Sequence, residues 1–182
     1  MNFRQTAFAG LYIIEPHVIN DNRGHFMEFW NHRKFAETGL ELNFVQINHS
    51  RSIKNTLRGL HYQVENIQGR LAWVTSGEIF DVAVDLRRCQ PTFGKYFCTR
   101  LSSENKKMIW IPPGFAHGFL VLSEFAEFQY CCTDYYNPAA ERCIIWNDPQ
   151  LKIDWPVEHE NQLILSEKDK KGSFFSEAEP LP

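Results

Sequence analysis

The chain has 182 residues, of which 43% are hydrophobic and 14% aromatic, and its formal net charge is −3. This length and composition predict one domain with a buried core and exclude a disordered chain. The acidic balance argues against general nucleic-acid binding, so any bound anion would have to meet a local cluster of cations.

Cysteine usage and the N-terminus bear on the compartment. The five cysteines are an odd set without a Cys-x-x-Cys pair, which disfavours zinc or redox motifs and fits free thiols in a reducing compartment. The first residues lack the apolar stretch of a secretory signal. No segment approaches the run of about 18 apolar residues that a membrane span needs. We therefore expect a cytoplasmic protein without membrane contact.

Most of the chain is predicted to form short strands separated by turn residues. In chain order, the predicted strands are 11–18, 44–48, 57–63, 70–75, 79–86, 95–101, 107–111, 118–122, 125–130 and 142–146. One short helix is predicted at about 31–37, and a second short helix or strap at 166–171. Many short strands at fairly even spacing favour a sandwich or barrel over a parallel sheet with crossover helices.

These elements predict one domain over residues 1–182, with its core at about 8–169 and the last ten residues as a mobile tail. The clearest strand is 79–86, where four apolar side chains alternate with polar ones. Because successive strand residues point to opposite faces, Asp81 and Asp85 share the face opposite the apolar side chains.

The first candidate motif is Leu-Arg-Gly-Leu-His-Tyr-Gln at residues 57–63. Regular alternation would send Arg58 and His61 to opposite faces. Gly59 lies between them, and a glycine in a strand often marks a bulge, which would turn both side chains into one cavity. The alternative is that His61 is an ordinary hydrogen-bonded histidine.

A second motif, Pro-x-Gly-x-x-His, ends at His117 just before a predicted strand. It resembles the second cupin motif, whose histidine points into the barrel, although a turn followed by a packed histidine is equally compatible. Metal-binding cupins carry His-x-His in their first motif, whereas this chain has His61 followed by Gln63. Because the second imidazole is missing, we predict no metal.

Two polar segments are candidate ligand contacts. In the segment 21–28, Arg23 could clamp a phosphate, Phe26 could stack on a base and Glu28 could accept a base N–H or a sugar hydroxyl. In the segment 46–50, Gln46 and Asn48 share one strand face and could orient sugar hydroxyls. A turn leading into a strand and a polar outer face are the structural alternatives.

The ordered set of motifs resembles the dTDP-4-dehydrorhamnose 3,5-epimerase family from about Phe8 to Asp169. The matching pieces are Arg-Gly-x-Phe-x-Glu, Asn-His-Ser-Arg-Ser, Leu-Arg-Gly-Leu-His-Tyr-Gln, Gly-Glu-Ile-Phe-Asp-Val-Ala-Val-Asp-Leu-Arg, Pro-Thr-Phe-Gly, Leu-Ser-x-Glu-Asn-Lys, Ile-Pro-x-Gly-Phe-Ala-His-Gly-Phe and Leu-Ser-Glu-Lys-Asp. The resemblance implies an all-β, cupin-type jelly roll with a few short helices, no metal and no organic cofactor. It also implies a homodimer with exchanged N-terminal strands.

The implied reaction inverts C3 and C5 of the nucleotide sugar dTDP-4-dehydro-6-deoxy-D-glucose. By position, the resemblance makes His61 the general base, Tyr130 the general acid and Asp169 the residue that orients His61. It assigns substrate binding to a larger set: Arg23, Phe26, Glu28, Gln46, Asn48, Arg58, His117, Glu141 and Lys168. The first three would come from the partner subunit.

One departure from the family's pattern concerns the catalytic region. The family usually has Gln-Gly-Lys, where this chain has Gln-Gly-Arg ending at Arg70. Arginine keeps the positive charge beside a developing enolate but does not give up its proton. A single-centre 3-epimerase is therefore the main alternative. A metal cupin of another enzyme class and a non-catalytic carbohydrate-binding barrel are further alternatives. Ile47 also stands where an aspartate is common.

Overall fold

The computed structural model of the protein describes residues 1–157 and 159–181. It contains thirteen β-strands, two short α-helices and two 3₁₀ turns at Glu160–Gln162 and Phe175–Glu177. The strands are β1 (Asn2–Gln5), β2 (Tyr12–Glu15), β3 (Val18–Asp21), β4 (Gly24–Met27), β5 (Gln46–Ile53), β6 (Leu57–Gln63), β7 (Arg70–Ser76), β8 (Glu78–Asp85), β9 (Tyr96–Ser102), β10 (Met108–Ile111), β11 (Phe115–Val121), β12 (Phe125–Cys132) and β13 (Glu141–Cys143). The helices are α1 (His32–Ala36) and α2 (Glu167–Lys170).

Two antiparallel sheets pack face to face. One has six strands in the order β1-β2-β10-β7-β12-β5, and the other has five in the order β13-β6-β11-β8-β9. Strands β3 and β4 form a separate hairpin. This is the predicted all-β jelly roll of the cupin type, and its inner faces enclose both the main core and the candidate site.

Three apolar layers hold the sheets in place. Side chains of both sheets, such as Ile109 and Phe119, interlock between them. The outer face of the five-stranded sheet is covered by the C-terminal segment through Trp155 and Phe175. The outer face of the six-stranded sheet is covered by the region around α1, where Phe35 is fully buried. Because the central strands are covered on both faces, β10 and β11 are buried along their whole length.

The predicted elements agree with most of the observed ones. Strand β6 has the predicted bounds, and the predicted helix at 31–37 corresponds to α1. The prediction of one strand at 11–18 was wrong, because the chain breaks after Glu15 and starts β3 at Val18. Among the described residues, no helix is long and apolar enough to cross a bilayer.

The last residues, for which the sequence predicts a mobile tail, pack against the barrel. Leu181 is buried, and its backbone N–H donates to Leu86 O at 2.8 Å while its carbonyl accepts from Arg88 N at 3.1 Å. Phe175 is also buried, and its N–H donates to Asp148. The composition of this segment is polar, but its few apolar residues fall where they close the outer layer of the barrel.

Strand β6 contains the bulge that its glycine predicted. His61 pairs with His117 on β11, whereas Arg58 pairs with Phe119, so two residues of β6 oppose one of β11. Gly59 has φ +107°, and a Cβ there would lie 2.6 Å from the carbonyl oxygen of His117. Only glycine lets the strands approach this closely, and the extra residue turns Arg58 and His61 towards the same cavity.

Candidate active site

Two adjoining cavities open between the sheets, with volumes of about 300 Å³ and about 260 Å³. Four side chains line both of them: Asn48, His61, Arg70 and Tyr130. The first is completed by residues of β5, β6, β11 and β12, and the second by residues around β13 and the 63–68 loop. Together they form one polar groove that the inner faces of both sheets line.

His61 is held from behind by a buried carboxylate. Its Nε2 lies 2.6 Å from Asp169 Oδ1. The second oxygen, Asp169 Oδ2, accepts from Ser166 Oγ at 2.6 Å, and Gly59 N donates to Oδ1 at 3.3 Å. Ser166 is the N-cap of α2, so a single capped turn of helix carries the aspartate to the histidine.

The charge state of this pair follows from its surroundings. Burial raises the pKa of Asp169, but hydrogen bonds from His61 and Ser166 outweigh burial and lower the pKa overall. The carboxylate is therefore ionised and acts as an acceptor, so Nε2 of His61 carries the hydrogen. This leaves Nδ1 as the ring nitrogen that can take a proton from a ligand in the groove.

Tyr130 reaches the same groove from the opposite sheet. It lies on β12, whereas His61 lies on β6, and both side chains line both cavities. Burial raises the pKa of Tyr130, and the positive charge of Arg70 partly opposes this effect. The phenol therefore stays protonated at neutral pH and is able to donate.

Arg70 is positioned at the junction of the two cavities. Its Cζ lies 5.8 Å from the centroid of the Tyr130 ring, within the range of a cation–π interaction. The guanidinium donates to Gln68 Oε1 at 3.3 Å and to the backbone carbonyl of His61 at 3.5 Å. Its fixed charge thus lies beside the groups assigned as general acid and general base.

His117 forms a second histidine–aspartate pair. Its Nε2 lies 2.8 Å from Asp81 Oδ2, and both side chains are buried. The predicted alternation along β8 is confirmed, since Asp81 points into the barrel. Nε2 of His61 and Nε2 of His117 thus each face a separate buried carboxylate.

Several predicted binding residues do meet in the groove. Gln46, Asn48, Arg58 and Glu141 line its walls, and Arg58 is fixed by a 3.0 Å bond from its Nε to Ser52 Oγ. Lys168 instead lines a neighbouring cavity of about 580 Å³. Its ammonium group pairs with Glu141, so α2 is tied to β13 at the edge of the groove.

The predicted residues on the hairpin are placed apart from the groove. Arg23 pairs with Asp21 at 2.6 Å, and Glu28 pairs with Lys34 at 2.8 Å. The side chain of Phe26 is exposed. Within the described part of this chain, none of the three lines either interior cavity. The fold of one chain therefore does not by itself bring the hairpin to the site.

Four further residues contribute to the site but were not predicted from the sequence. Ser166 had a detectable signal, because Ser-x-x-Asp before a helix is a capping pattern. Asp81 was predicted to point away from the apolar face but was not assigned to His117. Gln68, which accepts from Arg70, lies in the Gln-Gly-Arg motif but had no role assigned to it. Tyr136, which donates to Glu141 at 2.7 Å, had no sequence signal.

A thiol for which no role was predicted lies beside the pair of His61 and Asp169. Cys143 is the β13 partner of His61, and its Sγ lies 3.9 Å from Asp169 Oδ1. Burial, together with the charge of Asp169, raises the pKa of Cys143 to about 12. The side chain is therefore a neutral thiol at physiological pH, unsuited to act as a base or nucleophile.

Comparison with known proteins gives consistent results. A family model described as dTDP-4-dehydrorhamnose 3,5-epimerase matches residues 5–177. The chain is similar to the enzyme of that name from Pseudomonas aeruginosa, with 54% identity over 183 residues and 100% coverage of both chains. It is also similar to a crystal structure from Legionella pneumophila of dTDP-6-deoxy-D-glucose-3,5-epimerase in complex with dTDP-4-keto-L-rhamnose. That match has a TM-score of 0.94, 49% identity, and coverage of 98% of this chain and 94% of the other.

A 3'-monoepimerase from Streptomyces bikiniensis, solved in complex with dTDP-quinovose, has the same fold but is less similar. Its TM-score is 0.88 at 29% identity, with coverage of 94% of this chain and 86% of the other. The fold is therefore shared by single-centre and double-centre epimerases, while the higher identities belong to the 3,5-epimerases.

Proposed function

The chain belongs to the dTDP-4-dehydrorhamnose 3,5-epimerase family, and we propose that its groove inverts C3 and C5 of dTDP-4-dehydro-6-deoxy-D-glucose to give dTDP-4-dehydro-L-rhamnose. The observation that carries the proposal is that His61 and Tyr130 line one groove from facing sheets. Inversion of a carbon requires a proton to leave one face of the sugar ring and return to the other.

Proton abstraction is the role of His61. A hydrogen next to the C4 ketone is weakly acidic, and imidazole is a base suited to neutral pH. Nδ1 of His61 takes this proton, and the ring becomes an imidazolium. The ionised Asp169, 2.6 Å from Nε2, stabilises the new positive charge and fixes the tautomer that accepts the proton.

Stabilisation of the enolate is the role of Arg70. Loss of the proton places negative charge on the C4 oxygen, which a fixed positive group beside it stabilises. Arg70 lies where His61, Tyr130 and the ligand space meet. Because arginine keeps its proton, it stabilises the intermediate electrostatically and leaves reprotonation to another group.

Reprotonation is the role of Tyr130. Its hydroxyl gives a proton to the ring carbon from the face opposite His61, the C–H bond is restored with inverted configuration, and a phenolate remains. Proton exchange with water returns His61 and Tyr130 to their starting states. The same sequence at the second carbon completes the reaction, without any change in oxidation state.

The remaining polar residues of the groove are proposed to hold the nucleotide sugar. Arg58 and Lys168 supply positive charge for the diphosphate, and Gln46, Asn48 and Glu141 supply acceptors and donors for hydroxyl groups. His117 adds a buried donor or acceptor, fixed by Asp81. Lys168 must exchange its contact with Glu141 for a phosphate, so substrate binding would loosen the link between α2 and β13.

A homodimer with exchanged N-terminal strands is proposed to complete the site. The hairpin of β3 and β4 exposes Ile19 and Phe26, with 54% and 69% of their surfaces accessible, and such apolar groups are typical of a surface that a partner covers. In a dimer, Arg23, Phe26 and Glu28 would reach the partner's groove and bind the diphosphate and the base.

Mixed dimers test this arrangement. When His61→Ala and Phe26→Ala chains are refolded together, half of the dimers are mixed, and each mixed dimer has one intact site. Roughly one quarter of wild-type activity should return if the hairpin acts in the partner's site. Activity no greater than that of the separate variants would show that each site uses its own hairpin.

The cytoplasm is the proposed compartment. All five cysteines are free thiols, including the buried Cys131 and Cys132, and free buried thiols fit a reducing environment. Fractionation of cells that produce the protein at native level, with the protein followed by immunoblot, tests this assignment.

The decisive experiment on the reaction is isotope exchange. The enzyme is incubated in deuterated water with dTDP-4-dehydro-6-deoxy-D-glucose, and the sugar is analysed by NMR. We expect deuterium at both C3 and C5, with exchange abolished in His61→Asn. Deuterium at C3 alone would identify a 3-epimerase instead, and no exchange at either carbon would overturn the proposal.

A further inference from the structure

Cys143 makes the catalytic pair part of a three-ligand cluster. Strand β13 places Cys143 opposite His61, and α2 brings Asp169 to both. One ligand atom from each of the three side chains lies within 4.8 Å of the others. A thiol, an imidazole nitrogen and a carboxylate oxygen are the donor types that Zn²⁺ prefers. The proton-transfer mechanism itself makes no use of the thiol.

Two of the spacings in the cluster, one shorter and one longer, bracket the spacing expected of a tetrahedral site. With metal–ligand bonds of roughly 2.0–2.3 Å, neighbouring ligand atoms lie roughly 3.3–3.5 Å apart. In the cluster, Cys143 Sγ is 3.9 Å from Asp169 Oδ1, and His61 Nε2 is 2.6 Å from the same oxygen. To bind one ion, the sulfur of Cys143 must therefore approach Asp169 Oδ1 by a few tenths of an ångström. The imidazole of His61 must move away from the same oxygen by somewhat less than one ångström.

We propose that Cys143, His61 and Asp169 form an inhibitory site for thiophilic divalent cations such as Zn²⁺ and Cd²⁺. Binding replaces the hydrogen bond between His61 and Asp169 by two metal–ligand bonds. The hydrogen on Nε2 of His61 is transferred through solvent to Nδ1, and the proton of the Cys143 thiol passes to solvent. Thiolate and carboxylate together neutralise the dication. A thiolate ligand selects Zn²⁺ and Cd²⁺ over Mg²⁺ and Mn²⁺.

The consequence for the enzyme is loss of its base. When Nε2 of His61 is bound to a cation, Asp169 can no longer stabilise an imidazolium, so proton abstraction stops. An entry route exists, because His61 and Asp169 both line the cavity of about 580 Å³ beside α2. The inhibitory effect rests on the proposed function, whereas binding of the cation does not.

Two readouts keep these claims separate. Cd²⁺ titration of the chelator-treated protein, followed by the ultraviolet charge-transfer absorption of the Cd²⁺–thiolate bond, measures binding without any substrate. Epimerase activity with increasing Zn²⁺, Cd²⁺ or Mg²⁺ measures inhibition. Cys143→Ser and Cys143→Ala remove the thiol, and Cys89→Ser is the matched control because Cys89 is exposed and lies outside the cluster.

We expect one Cd²⁺ to bind per chain, with an absorption signal that both Cys143 variants lose and Cys89→Ser keeps. Zn²⁺ and Cd²⁺ should inhibit the wild type reversibly, Mg²⁺ should not, and the Cys143 variants should need at least about tenfold more Zn²⁺. Equal Cd²⁺ signals in the wild type and the Cys143 variants, or activation by stoichiometric Zn²⁺, would overturn the proposal. If metal-free enzyme shows no epimerase activity, the proposed function fails while the Cd²⁺ signal still tests the site.

Discussion

Removal of the charge of Arg70 tests the electrostatic part of the mechanism. The guanidinium carbon lies 5.8 Å from the centre of the Tyr130 ring. At an effective dielectric constant of about 20, two unit charges at this distance interact by roughly 3 kcal/mol, or about 100-fold in rate. Because the groove is open to solvent, screening reduces this value. Arg70→Met should therefore lower kcat by roughly 10- to 100-fold.

Two control variants and a second readout make this prediction specific. Arg70→Lys keeps the charge and should stay within about fivefold of the wild type in kcat. Arg100→Met removes a charge that pairs with Glu78 on the exposed surface and should leave kcat unchanged. Since the charge of Arg70 lowers the pKa of Tyr130, Arg70→Met should raise that pKa.

The two measurements are steady-state kinetics and an ultraviolet titration of tyrosine ionisation. Subtracting the titration curve of a protein that also carries Tyr130→Phe isolates the contribution of Tyr130. The reasoning is refuted if Arg70→Met keeps kcat within twofold of the wild type, or if the ionisation of Tyr130 does not move to higher pH.

Three further predictions concern the framework of the site. Gly59→Ala should lower the free energy of unfolding by about 2–4 kcal/mol in chemical denaturation, because φ is +107° and the new Cβ would meet backbone atoms of β11. Gly39 also has a positive φ, +83°, but has open space around it, so Gly39→Ala should lower the free energy of unfolding clearly less. Equal losses of stability in the two variants would contradict a steric origin. Asp169→Asn should destabilise the fold at neutral pH. Because the pKa of Asp169 is lowered in the folded state, the stability difference between the wild type and Asp169→Asn should shrink as the pH falls below about 3.8. A difference in thermal unfolding that is constant from pH 7 to pH 3 would count against the ionised pair. Leu181→Ala should cost about 2–3 kcal/mol of stability because Leu181 is 4% exposed, whereas a truly mobile tail would show no change.

The parts of the fold that could be predicted are those that depend on local patterns. The alternation in β8 and the composition of β6 predicted these strands within one residue at each end. Gly59 predicted the bulge, because no other residue type so often marks a close approach of two strands. The orientation of Arg58 and His61 into one groove followed from that single position.

The features that escaped prediction depend on contacts between distant parts of the chain. Asp169 lies 108 residues after His61, and nothing near either residue indicates that they meet; only the family resemblance did. The polar composition of the last residues predicts a mobile tail, whereas the packing of Leu181 in the outer layer of the barrel depends on contacts with distant strands. The role proposed for Arg23 and Phe26 requires a second chain, so the fold of one chain does not test it.

The assignment of roles to the two histidine–aspartate pairs follows from their exposure. His61 and His117 occupy paired positions on neighbouring strands, and each is bound to a buried carboxylate. The side chain of His61 is 24% exposed, whereas that of His117 is 5% exposed. A base must reach the ligand and release its proton to water in each cycle, which the more exposed ring can do. The buried ring is better suited to a fixed hydrogen bond with the substrate, so we propose that the same chemical pair is a base at one position and a binding group at the other.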